Sequence, residues 1–245
     1  MIRIDRSVSP PPATFTQPAA AEMARLRKIY RNKATLPKDT LKANAQAIWQ
    51  ASAVRTALLG MQHGKCVYCE WPIPQDYNDV EHFRPKSRYW WLALTWENLF
   101  YACPQCNRSA KNDAFDLEPG ATRLRPHQPP TVSERHMLVH PTDEQPEAFI
   151  GFKFIPGPDE WRPVGLDAGG RGAHTVELLD LDRPFLQERR QQLLEQLQEI
   201  ADDWQEASAA ADVARQATVK GRADVRRGPT AVFARLAQCY LAGVP

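Results

Sequence analysis

Cys66-Val-Tyr-Cys69 and Cys103-Pro-Gln-Cys106 are two Cys-x-x-Cys knuckles, and they decide the fold of the chain between and around them. Each knuckle offers two sulfurs from one tight turn, and four such thiolates suit a single tetrahedral Zn²⁺. Closed by four sulfurs, that zinc is structural and keeps no open position for a substrate. It draws residues 69 and 103 together, so the chain between them is presented as a closed loop. The loop carries Asp79-Val-Glu-His-Phe-Arg-Pro-Lys86, the aromatic run Tyr89-Trp-Trp-Leu-Ala-Leu-Thr-Trp96 and then Glu97-Asn98-Leu99. Asn107 follows the last knuckle directly, with Arg108 and Lys111 beyond it on an expected helix.

Outside this knot the composition is that of an ordinary folded domain. The 245 residues are 43% hydrophobic and 24% charged, long enough to bury a core without staples. No stretch approaches the roughly 18 uncharged apolar residues of a membrane span. Met1 to Pro12 holds Arg3, Asp5 and Arg6 and no apolar signal region, so a cytoplasmic location is expected. There the five cysteines stay reduced, and four of them in two close pairs point to metal rather than to disulfides. The net charge of +2 hides segments of opposite sign: residues 1–60 carry +7, 61–113 are neutral, 114–206 carry −9 and 207–245 carry +4. Basic ends can meet a polyanion while the acidic segment suits a protein partner; solvated helix faces give the same pattern.

Periodicity and punctuation divide the chain further. Residues 1–18, rich in Pro and Ser/Thr, read as an extended arm. Residues 19–63 read as N-terminal helices, one from Ala19 to about Asn32 and one from Lys38 to Met61. Residues 64–113 form the zinc-knuckle module. Residues 114–182 read as irregular chain with short strands, because 114–165 hold nine of the 21 prolines. There Phe149–Ile155 is expected to pair with the chain around Trp161, and a short helix is expected over Thr175–Leu179. Residues 183–245 read as C-terminal helices, the first capped by Asp182 ahead of Pro184 and the last over Thr230–Leu241. The fold class is α+β, mostly helical, around a central zinc-stabilised module.

In the order His82, Asn98, Asn107 the module resembles the HNH nuclease family, whose ββα-metal motif reads His, Asn, then His or Asn. Tyr68-Cys-Glu70, Glu81-His-Phe-Arg-Pro-Lys-Ser87, Trp96-Glu-Asn-Leu99 and Cys106-Asn107 make it most similar to the HNH component of Septu-type antiphage systems, which also accompanies some retrons. Leu138-Val-His-Pro141 and Thr175–Arg183 fit that group's downstream pattern more loosely. The resemblance implies a metal-dependent endonuclease acting on DNA, and a co-encoded ABC-type ATPase as its partner. The acidic helix beyond Asp182, with Glu188, Glu195, Glu199, Asp202, Asp203 and Glu206, is the expected docking surface. A non-catalytic zinc ribbon and an RNA- or tRNA-directed nuclease are the alternatives.

The chemistry suits the positions. Neutral His82 can take the proton of an attacking water, an imidazole's ordinary pKa being about 6.5. Glu81 and Asn107 offer oxygens to a catalytic Mg²⁺ or Mn²⁺, which would polarise the phosphate and meet the charge of the leaving oxygen. Asn98 is expected to hold the imidazole-bearing loop by hydrogen bonds, and Arg84, Lys86, Arg108 and Lys111 to contact phosphates. Neighbours on a strand face opposite ways, so the strand must bend or end at Glu81-His82 for both to serve one site. The remaining histidines read as packing or surface groups, Cys239 as core, and Trp90, Trp91 and Trp96 as core of the small hairpin rather than as base-stacking platforms.

Overall fold

The computed structural model describes residues 1–31, 33–37, 39–74, 80–130, 134–158 and 160–245. Asp79 and Lys38, the expected starts of the histidine loop and of the second helix, lie outside them. The architecture is α+β with helices dominant; the described strands form two antiparallel pairs. No described helix is long and apolar enough to cross a membrane.

Residues 1–18 are not a free arm. Met1, Ile2 and Ile4 are buried, and the Ile4 amide donates to the Pro141 carbonyl at 2.8 Å. The Arg6 guanidinium donates to the carbonyls of Trp96, Glu97 and Leu99 at 2.9–3.0 Å and lies 4.3 Å over the Phe100 ring. Helix α1 (Ala13–Ile29) then begins six residues before the expected start and contains Pro18. Its buried face, Phe15, Ala19, Met23 and Leu26, extends the apolar stripe one turn upstream, and Phe15 meets Trp96 at 5.5 Å. That packing offsets the single backbone bond that Pro18 cannot donate.

The second expected helix is three: α2 (Thr40–Ala43), α3 (Ala45–Trp49) and α4 (Ser52–Met61). Asn44 and Ala51 leave helical geometry between them, and the breaks turn Leu41, Gln46 and Trp49 towards the candidate site. Gly64, at φ +75°, ends α4 by donating to the Leu59 carbonyl at 2.9 Å, a left-handed position that favours glycine. Two residues earlier, buried Gln62 donates to the Tyr101 carbonyl at 2.6 Å and accepts from the Tyr101 amide at 2.8 Å. It thereby completes the free edge of the next sheet.

That sheet pairs β1 (Val80–His82) with β2 (Leu99–Tyr101), Glu81 opposite Phe100 and His82 opposite Leu99. A π-wound turn, Gln105–Lys111, follows, closed by the Asn112 amide on the Asn107 carbonyl at 2.7 Å. Trp90, Trp91 and Trp96 are core, at most 6% exposed, with the indole N–H of Trp90 on Lys33 O and of Trp91 on Gln128 O.

Downstream, α5 (Pro146–Phe149) leads into β3 (Ile150–Ile155), which pairs with β4 (Glu160–Gly165) with Phe154 opposite Trp161. Helix α6 (Arg171–Leu178) begins one turn before the expected Thr175, because Asp167 accepts from the Arg171 and Gly172 amides at 3.0 and 2.7 Å. Helix α7 (Pro184–Ala209) has Pro184 in its first turn but no side-chain cap: Asp182 instead pairs with Arg162 at 2.9 Å. Helix α8 (Val213–Arg227), capped by Asp212, has no counterpart among the expected helices, and the last expected helix is shorter than the sequence suggests, as α9 (Ala234–Tyr240). Only Val219 and Ala223 of α8 are buried, too narrow a stripe to show as periodicity.

Candidate active site and metal-binding cluster

The two knuckles meet as the spacing requires. The sulfurs of Cys66, Cys69, Cys103 and Cys106 all lie within 4.8 Å of one another, with Cys69 and Cys103 at 3.9 Å. Four sulfurs bonded at about 2.3 Å to one tetrahedral ion would sit roughly 3.8 Å apart, so this donor set fits Zn²⁺. Glu70, left-handed at φ +62°, turns the first knuckle and donates its amide to the Cys66 carbonyl at 3.1 Å. The Cys103 amide points at Cys66 Sγ at 3.4 Å.

A further residue, not among the expected site residues, lies against the cluster. Arg183, just ahead of α7, aims its guanidinium at Cys106 Sγ at 3.6 Å and Cys103 Sγ at 3.9 Å. Burial works against its charge, but the sulfurs more than offset this and hold its pKa above the ordinary value. The signal was in the Asp-Arg-Pro triplet, yet nothing in spacing ties residue 183 to residue 106.

On the other side of the π-wound turn, Glu81, His82 and Asn107 line one cavity of about 350 Å³. β1 ends at His82, where the Phe83 amide turns to the Asn98 carbonyl at 3.0 Å. The two neighbours thus serve one cavity at a strand terminus. The far wall is α2 and α3, with Leu41, Gln46 and Trp49.

His82 is 4% exposed. One face of its surroundings is Trp49, edge-on at 4.9 Å, and its Nε2 lies 3.0 Å from the Ala93 carbonyl. A carbonyl only accepts, so Nε2 carries the proton and Nδ1 remains the ring's acceptor. Burial, reinforced by the charge of Lys86, pushes the imidazole down to about 3, against the pull of the Ala93 carbonyl. It is neutral at pH 7.

Asn98 spends its whole amide on the loop. Its Oδ1 accepts from the Arg84 amide at 2.8 Å, and its Nδ2 donates to the carbonyls of Arg84 and Leu92 at 3.1 and 3.2 Å.

The four expected phosphate cations divide into two pairs. Lys86 and Arg108 are exposed and line the cavity. Arg84 and Lys111 are instead buried in ion pairs, a correction to the sequence-based expectation. Arg84 is buried on Glu134 at 2.9 Å, itself held by Tyr89 at 2.6 Å. Lys111 has no exposed surface and is bound to Glu81 Oε1 at 2.7 Å and to the His82 carbonyl at 3.0 Å. A cation near an active site and a cation available to a ligand look alike in sequence; burial separates them.

His82 at the end of β1 and Asn107 in the π-wound turn thus line one cavity, and Asn98 braces the loop between them. Residues 66–113 match the family model of the HNH endonucleases. Over 205 residues it is 30% identical to Septu protein PtuB of Bacillus mycoides strain KBAB4, covering 78% of this chain and 66% of that protein. It is 38% identical over 82 residues to Septu protein PtuB of Bacillus thuringiensis, covering 33% of this chain and 32% of that one. Over 144 residues, 54% of this chain, it is also 27% identical to a Septu protein PtuA of B. mycoides, of which the matched part is 19%. The chain therefore spans 66% of one PtuB relative's length and 32% of the other's.

Proposed function

We propose that this protein hydrolyses phosphodiester bonds in DNA, with a divalent ion, as the effector of an antiphage defence system. The observation that carries the proposal is the convergence of Glu81, His82 and Asn107, from a strand end and a π-wound turn, on one cavity. A pure zinc ribbon has no use for that triplet. In this reading residues 64–113 are the nuclease module, built on a structural Zn²⁺ in the four cysteines and flanked by helices on either side. Lys86 and Arg108 are its phosphate contacts.

His82 is the base. Neutral at rest, it receives the water's proton on Nδ1 while the Ala93 carbonyl fixes the ring through Nε2. A phosphodiester anion in the cavity offsets the charge of Lys86 and raises the proton affinity of His82 at the step that needs it. Glu81 and Asn107 offer carboxylate and amide oxygens, a set that suits Mg²⁺ or Mn²⁺ rather than zinc. The ion, when bound, supplies Lewis-acid polarisation of the phosphate and charge for the leaving oxygen. Asn98 supplies no proton; it holds the loop on which His82 stands.

Two findings support a partner. Relatives bear the names of both Septu proteins, and in the PtuA relative a segment like this chain is a minor part of a larger protein. The co-encoded protein is taken to be an ABC-type ATPase. The test is purified wild type and His82→Ala, each on plasmid DNA and on tRNA with Mn²⁺. Expected is nicking of DNA by wild type only, with equal zinc content in both proteins. Cleavage by the variant at a tenth of the wild-type rate or more would remove His82 from the role of base, and cleavage of tRNA alone would move the substrate to RNA.

A further inference from the structure

Lys111 is the fully buried ammonium of the module, with no exposed surface, and the chemistry above makes no use of it. Burying a cation is costly unless its partners are well placed. Its partners are Glu81 Oε1 at 2.7 Å and the His82 carbonyl at 3.0 Å. The hydroxyl of Tyr68, equally buried within the first knuckle, donates to the same Glu81 Oε1 at 3.0 Å. Two donors therefore converge on one carboxylate oxygen of a side chain that lines the cavity.

We infer that Lys111 and Tyr68 are positioning residues that restrict Glu81 to one oxygen and make divalent-ion binding depend on the arrival of the substrate phosphate. This rests on the proposal that Glu81 holds the catalytic ion. A carboxylate with both oxygens free can chelate an ion through both; one whose Oε1 is doubly hydrogen-bonded offers a single bond. That suits an octahedral ion which must keep positions for water and phosphate.

The charge balance supplies the coupling. Among the described residues that line the cavity, Glu81 is neutralised by Lys111, Lys42 is paired with Asp39, Asn107 is uncharged, and the carboxylate of Asp113 is balanced in charge by the exposed ammonium of Lys86. These described groups offer a divalent cation polar oxygens but no net negative charge. A phosphodiester supplies the missing charge, so ion and substrate each strengthen the other's binding, as reciprocity between sites requires. The Lys111 ammonium also ties the Glu81 side chain to the backbone at His82, which keeps the ion ligand in register with the base.

The experiment measures Mn²⁺ binding by electron paramagnetic resonance in the full chain, zinc-loaded and carrying His82→Ala so that DNA is not consumed. Mn²⁺ is titrated with and without an oligonucleotide duplex. Expected is at least tenfold tighter Mn²⁺ binding with the duplex. Adding Lys111→Met should tighten DNA-free binding at least tenfold and erase most of the coupling, while Lys111→Met on the wild-type background loses turnover. Tighter metal with slower cleavage is a combination that mere loss of structure does not produce. Weaker or unchanged Mn²⁺ binding in Lys111→Met would overturn the inference. Should that variant fail to fold, Tyr68→Phe decides: a threefold or larger shift in the Mn²⁺ midpoint with a near-native melting temperature supports it, and an unchanged midpoint and rate overturn it. Glu81→Gln keeps the two levels apart. If it leaves Mn²⁺ binding intact, the ligand assignment itself fails; if it weakens binding while Lys111→Met does nothing, only the positioning role falls.

Discussion

Asn98 shows at the residue scale how a polar side chain becomes structural. Its Oδ1 and Nδ2 satisfy one buried amide and two carbonyls of the histidine-bearing loop. Asn98→Ala leaves those groups unpaired, at a cost of about 2–4 kcal/mol, read as a lower urea midpoint together with loss of cleavage. Arg183 lies beside the sulfur cluster in a comparable way, since a cation next to thiolates that hold an ion would offset their charge and orient them. Arg183→Met should lose zinc to a chelator several-fold faster than wild type, measured with a colorimetric zinc indicator, while circular dichroism before chelation is unchanged. Equal rates would reduce Arg183 to a packing residue.

Among the elements, the hairpin β1–β2 has three residues per strand, too short to stand alone. Zinc held by the four cysteines would then supply folding free energy for the module. Cys66→Ser or Cys106→Ser should abolish both the expected one zinc per chain and the cooperative melting of wild type; a zinc-free protein with an unchanged melting temperature would make the knuckles incidental. Helix α7 carries a different lesson. Glu188, Glu195, Glu199 and Asp202 lie exposed along one stripe, on the side away from its buried Leu193, Leu197 and Ile200. Asp203 and Glu206, expected in the same docking surface, are engaged within the molecule: Arg215 of α8 holds both, and Arg222 also pairs with Asp203. Reversing the four exposed acids to lysine should weaken co-purification with a co-encoded ATPase, in a salt-dependent manner, and leave melting unchanged. Asp203→Lys should instead lower the melting temperature by loosening the α7–α8 hairpin.

Over the whole molecule, buried neutral histidines set an acid limit on stability. Burial lowers the pKa of His140 and of His136, with the charges of neighbouring groups adding to it, and holds His82 at about 3. Above their unfolded value near 6.5 these rings are neutral in both states and contribute no pH dependence. Below it the unfolded chain takes up protons first, so stability falls as the pH drops, by up to about 1.4 kcal/mol per pH unit for each ring. Urea midpoints at pH 7.5 and pH 5.5 should therefore differ, with the lower value at pH 5.5. His140→Asn, whose Oδ1 can accept from the Thr142 and Asp143 amides as Nδ1 does, should shrink that difference.

By itself the sequence determined what depends on residue identity at fixed spacing. Four cysteines in two knuckles implied one cluster, and His82, Asn98 and Asn107 carried the family pattern through local chemistry that survives almost any arrangement of the surrounding chain. The β3–β4 pairing was legible for the same reason, since alternation is a local property. Tertiary structure alone decided where the charges went. Arg84 and Lys111 are cations in sequence but buried partners of Glu134 and Glu81 in space. Arg183 reaches sulfurs from 77 residues away, and α2–α3, outside the matched domain, wall the cavity through Trp49. Burial and long-range pairing are properties of the packed whole, because a side chain's desolvation is set by neighbours that no spacing rule names.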